Sequence, residues 1–196
     1  MFSSYRNPCK RVSMAGDMLI KILFLLSAIT LTEAGEWKDQ FAREWRDSFL
    51  KHWKVTKDYT LAVCDAMPAE AFDFKPVPAQ RSFGEQLVHI GRANDAYMTA
   101  FKIKAAPTAP TATGKASIRA YLVASFDYLT DVLSALEEKD MLRKDLQFNS
   151  RIKPHNGTDL FMRAYMHTAH HRGQLVSYLR SKGITPPTWA FEPTAQ

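Results

Sequence analysis

The chain has 196 residues and a formal net charge of +6, with 46% hydrophobic and 23% charged residues. This length fits a single domain that can bury its own core, and the composition is that of an ordinary globular protein. The basic residues are scattered, without a dense cluster or a recognisable nucleic-acid-binding motif. The sequence therefore argues against nucleic acid as a partner.

The N-terminal segment has the three parts of a secretory signal peptide. An apolar run, Ile22 to Leu31, follows Lys21, and Thr32 and Ala34 are small residues at the positions that a signal peptidase reads. The sequence predicts a signal peptide over residues 1–34, cleavage after Ala34, and export to the periplasm or the extracellular space. A membrane-spanning helix needs about 20 apolar residues, and this run is shorter, so we expect no stable membrane insertion after cleavage. The alternative is that the segment stays attached as an uncleaved membrane anchor.

The mature domain is predicted to span residues 35–196. Cleavage would remove four basic and two acidic residues, which leaves 22 minus 18, a charge of +4. Cys9 would be removed as well, so Cys64 would have no partner for an internal disulfide bond. Its apolar helical surroundings predict a buried, inert thiol.

Four segments have the apolar periodicity of long helices, and no segment has a strand pattern. The helices are predicted at Glu36 to about Met67, Ser82 to about Lys104, Lys115 to about Glu138, and Thr158 to just before Gly183. Ser82 and Glu85 have the spacing of a capping box, and Gly183 is typical of a helix C-terminus. The sequence predicts an all-α fold, a four-helix bundle.

Two connections in this bundle are long. Residues 105–114 form a linker of proline, threonine and alanine, which allows the second and third helices to be either antiparallel or joined by a crossover. Residues 140–157 form a polar connection, in which Phe148 and Ile152 indicate a short extended segment over the bundle.

Three of the six histidines lie within five positions of the last helix. His167 and His171 are four residues apart, so they share one helix face with apolar residues above and below them. His170 is offset by about 100° from His171 and should point elsewhere. On the second helix, His89 lies in a half-buried stripe and offers a third imidazole. Three histidines are the ligand count of an open metal site, but spacing alone equally allows structural histidines.

Two segments resemble a known family. The residues from His167 to Leu175, with Tyr178–Arg180 and Gly183–Pro187 after them, resemble the last helix of the DinB/YfiT family, and Ser82–Ile90 is similar to its second helix. The resemblance covers roughly Trp37 to Pro187. It implies a four-helix bundle of the DinB/YfiT-like type that is often a homodimer.

The resemblance also implies a site for one divalent metal ion, with zinc and nickel among the candidates. Matched residue by residue, its ligands would be His89, His167 and His171. Some members of the family resemble thiol-dependent transferases that use low-molecular-weight thiols, in which the metal favours the thiolate. Because such thiols are mainly cytosolic, an exported chain departs from this pattern.

Two further residues are candidates for substrate binding. Arg172 could bind an anionic substrate beside the metal or pair with a carboxylate on a neighbouring helix, and Tyr97 could donate to a substrate or fill the core. Gly173 could permit close helix packing or the approach of a ligand.

These observations leave two hypotheses for an exported DinB-like metalloprotein. The first is a metal-dependent transferase or hydrolase, in which the metal activates water or a small-molecule thiol as a Lewis acid. The second is a non-catalytic, metal-stabilised dimeric binding module. The group that fills the fourth position on the metal would separate them.

Overall fold

The structure, a computed structural model, describes residues 14–111 and 114–189. Within these residues it contains five α-helices, of which α4 is short: α1 (Met14–Ala66), α2 (Phe83–Thr99), α3 (Lys115–Ala135), α4 (Glu138–Met141) and α5 (Gly157–Ser181). A 3₁₀ helix spans Ala69–Ala71 between α1 and α2. The described residues form no β-sheet; one isolated antiparallel bridge pairs Leu146 with His155. The predicted all-α four-helix bundle is confirmed, and α4 is an additional turn that the sequence did not predict.

The first helix begins earlier than the sequence predicts. It starts at Met14 instead of Glu36. No proline occurs between Met14 and Pro68, and many of the residues between them have a high helix propensity. Among the described residues, no helix is both long enough and apolar enough to cross a membrane. The predicted signal peptide falls partly on residues 1–13, which lie outside the described residues, and it stays a prediction.

Residue contacts divide the chain into two units, the first ending at Phe41 and the second beginning at Ala42. The bundle is the second unit and includes the part of α1 from Ala42 onward. In this part aromatic side chains are buried in the core: Phe49 is 6% exposed and Trp53 is 1% exposed. In contrast, Phe41 is 56% exposed and belongs to the first unit.

The bundle portion of α1 is antiparallel to α3. Arg119, near the start of α3, forms an ion pair with Asp65 near the end of α1 at 2.7 Å. Further along α3, the indole N–H of Trp53 donates to the carbonyl oxygen of Phe126 at 3.1 Å. Residue numbers therefore rise along one helix as they fall along the other.

In contrast, α2 and α3 are parallel. The hydroxyl of Tyr121 donates to Asp95 at 2.6 Å, and seven residues later the hydroxyl of Tyr128 donates to the carbonyl of Lys104 at 3.0 Å. The linker between these helices must therefore return along the length of the bundle. This is the crossover arrangement, one of the two that the sequence left open.

The last helix, α5, is antiparallel to α2 and parallel to α1. Near the start of α5, the ring of Phe161 lies 5.1 Å from that of Phe101, just beyond the end of α2, and 5.7 Å from that of Phe49 in α1. Near its end, the ring of Tyr178 lies 6.4 Å from that of Phe83 at the start of α2. The long helices thus run up, down, down and up, and α5 contacts both α1 and α2.

Local sequence signals position the ends of α2 and α5. The hydroxyl of Ser82 accepts the Glu85 backbone N–H, and the Glu85 carboxylate accepts the Ser82 backbone N–H, so the predicted capping box is confirmed. Gly183 has a φ of 73°, and its N–H and that of Ile184 bond to carbonyls in the last turn of α5. This hydrogen-bonding pattern is a Schellman motif, which needs a left-handed residue and so favours glycine.

Two helix ends differ from the sequence prediction. α2 ends at Thr99 instead of about Lys104, and Lys102 takes a left-handed φ of 57° just beyond it. α3 ends at Ala135 instead of about Glu138, because the backbone of Leu136 is extended.

Candidate metal centre

Three histidines meet where α2 packs against α5. Nε2 of His89 lies 3.1 Å from Nε2 of His171, and the ring of His167 lies 4.9 Å from that of His89 and 4.3 Å from that of His171. One ligand nitrogen from each residue lies within 4.8 Å of the others. The helical spacing of His167 and His171 and the packing of α2 opposite them bring the three side chains together.

His170 lies outside this group. Its side chain is exposed, and its Nε2 lies 3.1 Å from the amide nitrogen of Gln174. This placement agrees with the angular offset expected from its position in the helix. Of the three histidines near the end of the chain, the structure therefore places two in the group.

The three clustered imidazoles are held in their neutral form. The pKa of His89 and that of His167 are lowered to about 4, mainly by burial and in smaller part by the charges of Arg81 and of the neighbouring histidines. Burial also lowers the pKa of His171. At neutral pH each ring therefore has a free lone pair, the form that binds a divalent metal ion.

Two glutamines contact the face of His171 away from His89. Nδ1 of His171 lies 3.0 Å from Oε1 of Gln174, and the amide nitrogen of Gln86 donates to the same oxygen. The Gln174 hydrogen bond raises the pKa of His171, as expected if Nδ1–H is the donor. Gln86 Nε2 also lies close to this Nδ1.

This hydrogen bond fixes the tautomer of His171. With Nδ1 as the donor, Nε2 keeps its lone pair and points toward His89. Orienting partners of this kind are common behind metal-ligating histidines. The sequence alone predicts no role for Gln86 or Gln174, although each lies three residues from a clustered histidine, a spacing that places it on the same face.

The donor set fits a zinc-like ion. Two nitrogens bound to one tetrahedral zinc ion at about 2.0–2.1 Å each lie about 3.3 Å apart, and the separation of His89 and His171 is close to this value. The ligand nitrogens of the whole group lie within 4.8 Å of one another, so they would have to move closer together to bind one ion. Nδ1 of His167 is buried without a hydrogen-bond partner among the described residues, a state that a buried polar atom rarely keeps without a ligand or water.

An aromatic wall lies beside His167. The ring of Tyr97 lies 6.1 Å from that of His167 and 4.8 Å from that of Phe148. Phe148 in turn stacks on His155 at 6.0 Å, and the backbone of His155 forms the isolated bridge with Leu146. The expected extended segment therefore covers this edge of the histidine group. Tyr97 lies beside His167, and a contact of Tyr97 with substrate stays a prediction.

Arg172 is directed away from the histidines toward α1. It is 8% exposed, and its guanidinium donates to the carbonyl of Thr56 and the hydroxyl of Thr60, both at 3.3 Å. It also lies over the ring of Tyr59 at 4.8 Å. Arg172 therefore contacts a neighbouring helix, as one prediction from the sequence proposed, but its partners there are not carboxylates. A contact of Arg172 with substrate stays a prediction.

A cavity of about 810 Å³ lies beside His89, at the start of α2. Its wall includes His89 and the charged side chains of Lys75, Arg81, Glu85 and Arg92. The sequence alone does not identify Arg81 or Arg92 as site residues. The signal that could have found Arg92 is its position three residues after His89 on the same helix.

Comparisons with known proteins agree with this structure. The family model described as DinB family matches residues 38–195. A DinB-like protein from Bacillus cereus ATCC 10987 is similar in structure, with a TM-score of 0.63, 22% identity, and coverage of 71% of this chain and 94% of that chain. A DinB-like protein from Bacillus subtilis has a TM-score of 0.59, 19% identity, and coverage of 74% and 99%.

Comparison with curated protein sequences gives no match. At these identities the solved structures show a shared fold alone. The family model covers most of the sequence, including all three clustered histidines. The chain therefore belongs to the DinB family.

Proposed function

We propose that this DinB family protein is an exported metalloenzyme that binds one divalent metal ion, zinc or nickel, through His89, His167 and His171. It would catalyse a transfer or hydrolysis reaction on a small molecule. One observation carries the proposal: three neutral imidazoles from two helices have ligand nitrogens within 4.8 Å of one another, and one of these imidazoles lines a large cavity.

The ligand count favours an enzyme over a non-catalytic module. In the part of the chain that the structure describes, no Cys, Asp, Glu or further His joins the three-histidine group. Structural zinc sites are usually closed by four protein ligands, whereas catalytic sites keep a position for water or substrate. Three protein ligands beside a cavity match the catalytic class.

When bound, the metal ion would supply Lewis acidity toward an oxygen or sulfur atom of the substrate. The residues around it have separate tasks. Gln174 orients His171, and burial keeps the imidazoles free of competing protons. Burial also raises the pKa of Tyr97, so its hydroxyl stays protonated and is available as a hydrogen-bond donor at the edge of the site.

Metal analysis of histidine variants tests this proposal. Purified wild-type protein should contain one equivalent of metal, and His89→Ala, His167→Ala and His171→Ala should each lose it. His170→Ala is the matched control, because it removes an imidazole from the same helix outside the group, and it should keep the metal. Circular dichroism establishes that each variant is folded. Full metal content in folded His171→Ala protein would refute the site.

Export is supported by the apolar run and the small residues before Gly35. We expect the mature protein to begin at Gly35, which N-terminal sequencing of protein from the exported fraction can measure. Replacing Ala34 with a bulky residue should block cleavage because the peptidase reads a small residue there. Exported protein with residues 1–34 intact would contradict the prediction.

A further inference from the structure

The cavity beside His89 has an unbalanced set of charges. Five charged side chains line it: Asp73, Lys75, Arg81, Glu85 and Arg92. Lys75 and Glu85 form an ion pair at 3.4 Å, and the Glu85 carboxylate also accepts the Ser82 backbone N–H. These contacts neutralise one cation and one anion within the protein. The remaining groups carry a net charge of 2 minus 1, or +1.

The two arginines are free to bind a ligand. Among the residues that the structure describes, neither Arg81 nor Arg92 forms an ion pair, and both side chains are exposed to the solvent of the cavity. In contrast, Arg119 is held by Asp65 and Arg143 by Asp145 through two hydrogen bonds each. A free guanidinium offers a planar set of donors that matches a carboxylate or phosphate group.

Their position relates these arginines to the histidine group. Arg92 follows His89 by three residues, so the two side chains lie on one face of α2, and both line the cavity. Arg81 precedes the N-cap of α2, and its charge lowers the pKa of all three clustered histidines. Of the described charged groups that shift these pKa values, Arg81 and Arg92 are the only ones that are not histidines.

We propose that the substrate is an anion whose carboxylate or phosphate group binds between Arg81 and Arg92, with its reacting end at His89, His167 and His171. This inference rests on the proposed function for the location of the reacting end. It assigns anion recognition to two residues at the start of α2, in place of Arg172, whose guanidinium is held by α1.

The test compares two small thiols that differ in one group. 3-Mercaptopropionate is the anionic probe and 3-mercapto-1-propanol is its uncharged counterpart, and both present the same soft donor to a metal ion. Calorimetry on the full-length, zinc-loaded protein measures their affinities. We expect wild-type protein to bind the acid about tenfold more tightly, a preference of about 1.4 kcal/mol.

The variant Arg81→Gln/Arg92→Gln should lose this preference, keep its affinity for the alcohol and keep one equivalent of zinc. Arg180→Gln is the control, since it removes an exposed arginine from α5 outside the wall of this cavity, and it should behave as wild type. An equal preference for the acid in the double variant and the wild type would overturn the proposal.

Failure of the metal site would be recognised separately, because the wild-type protein would then contain no zinc. In that case inorganic phosphate is titrated into the metal-free protein. Binding that the double variant loses would support the anion site without the metal. Equal binding, or no binding, in both proteins would overturn it.

Discussion

Nε2 of His89 on α2 lies 3.1 Å from Nε2 of His171 on α5. Both rings are neutral at physiological pH because burial lowers their pKa values. The hydrogen bond of His171 to Gln174 leaves the lone pair of His171 on Nε2. Nε2 of His89 must therefore either donate a proton to this lone pair or bind the same cation as Nε2 of His171. A shared cation would also use the lone pair of His167.

Gln174 should strengthen metal binding without touching the metal. Gln174→Ala removes the acceptor of the Nδ1 proton of His171, so we expect metal affinity to fall by about 10–100-fold. Gln174→Glu restores an acceptor and should recover most of the affinity. Competition with a chromogenic chelator measures both values.

The control for this experiment is Ser177→Ala, three residues further along α5 on an exposed position. Its metal affinity should equal that of wild type. If Gln174→Ala also bound metal with wild-type affinity, the orientation of His171 would not depend on this hydrogen bond.

Local signals in the sequence predict the start of α2, the end of α5 and the shared helix face of two of the clustered histidines. The capping box at Ser82 and the glycine at Gly183 act within one or two helical turns, so neighbouring residues determine them. The shared face of His167 and His171 follows from helical periodicity alone.

Features that depend on packing between helices could not be predicted in the same way. Arg172 adjoins His171 in sequence, yet one residue turns the side chain by about 100°, and the packing of α1 then captures it. The parallel course of α2 and α3 depends on contacts such as Tyr121 with Asp95, which are distant in sequence. The cavity at Arg81 and Arg92 exists only after that packing.

Asp95 should destabilise the protein at neutral pH. Burial raises the pKa of Asp95 to about 6, although the hydrogen bond from Tyr121 lowers it in part. The other carboxylate oxygen, Oδ1, has no hydrogen-bond partner among the described residues. A raised pKa in the folded state gives stability that is fully present below the unfolded value of 3.8 and is lost as pH rises through about 6. Above pH 6 the folded protein therefore holds an unfavourable buried charge.

Asp95→Asn keeps an acceptor for Tyr121 and removes this charge. We expect the free energy of unfolding at pH 7.5 to rise by on the order of 1–2 kcal/mol, and the gain to shrink as the pH is lowered to 4.5. Urea unfolding of the wild-type protein and of Asp95→Asn at each pH measures the difference between their free energies of unfolding. Both proteins contain the same histidines, so the titration of the histidines does not contribute to this difference. Exposed Asp73→Asn is the control. A gain that does not change with pH would contradict ionisation of Asp95 as its cause.

Two glycines should respond to alanine in opposite directions. At Gly91, a Cβ atom would lie 2.6 Å from Cε1 of Tyr121 and 3.2 Å from Oγ of Ser125. Tyr121 cannot move away easily, because it is 5% exposed and its hydroxyl is bonded to Asp95. We expect Gly91→Ala to lower the free energy of unfolding by about 1–3 kcal/mol through overpacking between α2 and α3.

At Gly173 a Cβ atom would meet nothing within 4 Å, and the residue is exposed on α5. Neither role that the sequence suggested for it, close helix packing or the approach of a ligand, has a contact in its support. Alanine has a higher helix propensity, so Gly173→Ala should raise the free energy of unfolding by about 0.5–1 kcal/mol. Urea denaturation of the two variants side by side measures both effects. A loss of stability in Gly173→Ala would contradict helix propensity as the determinant there, and a gain in Gly91→Ala would contradict overpacking against Tyr121.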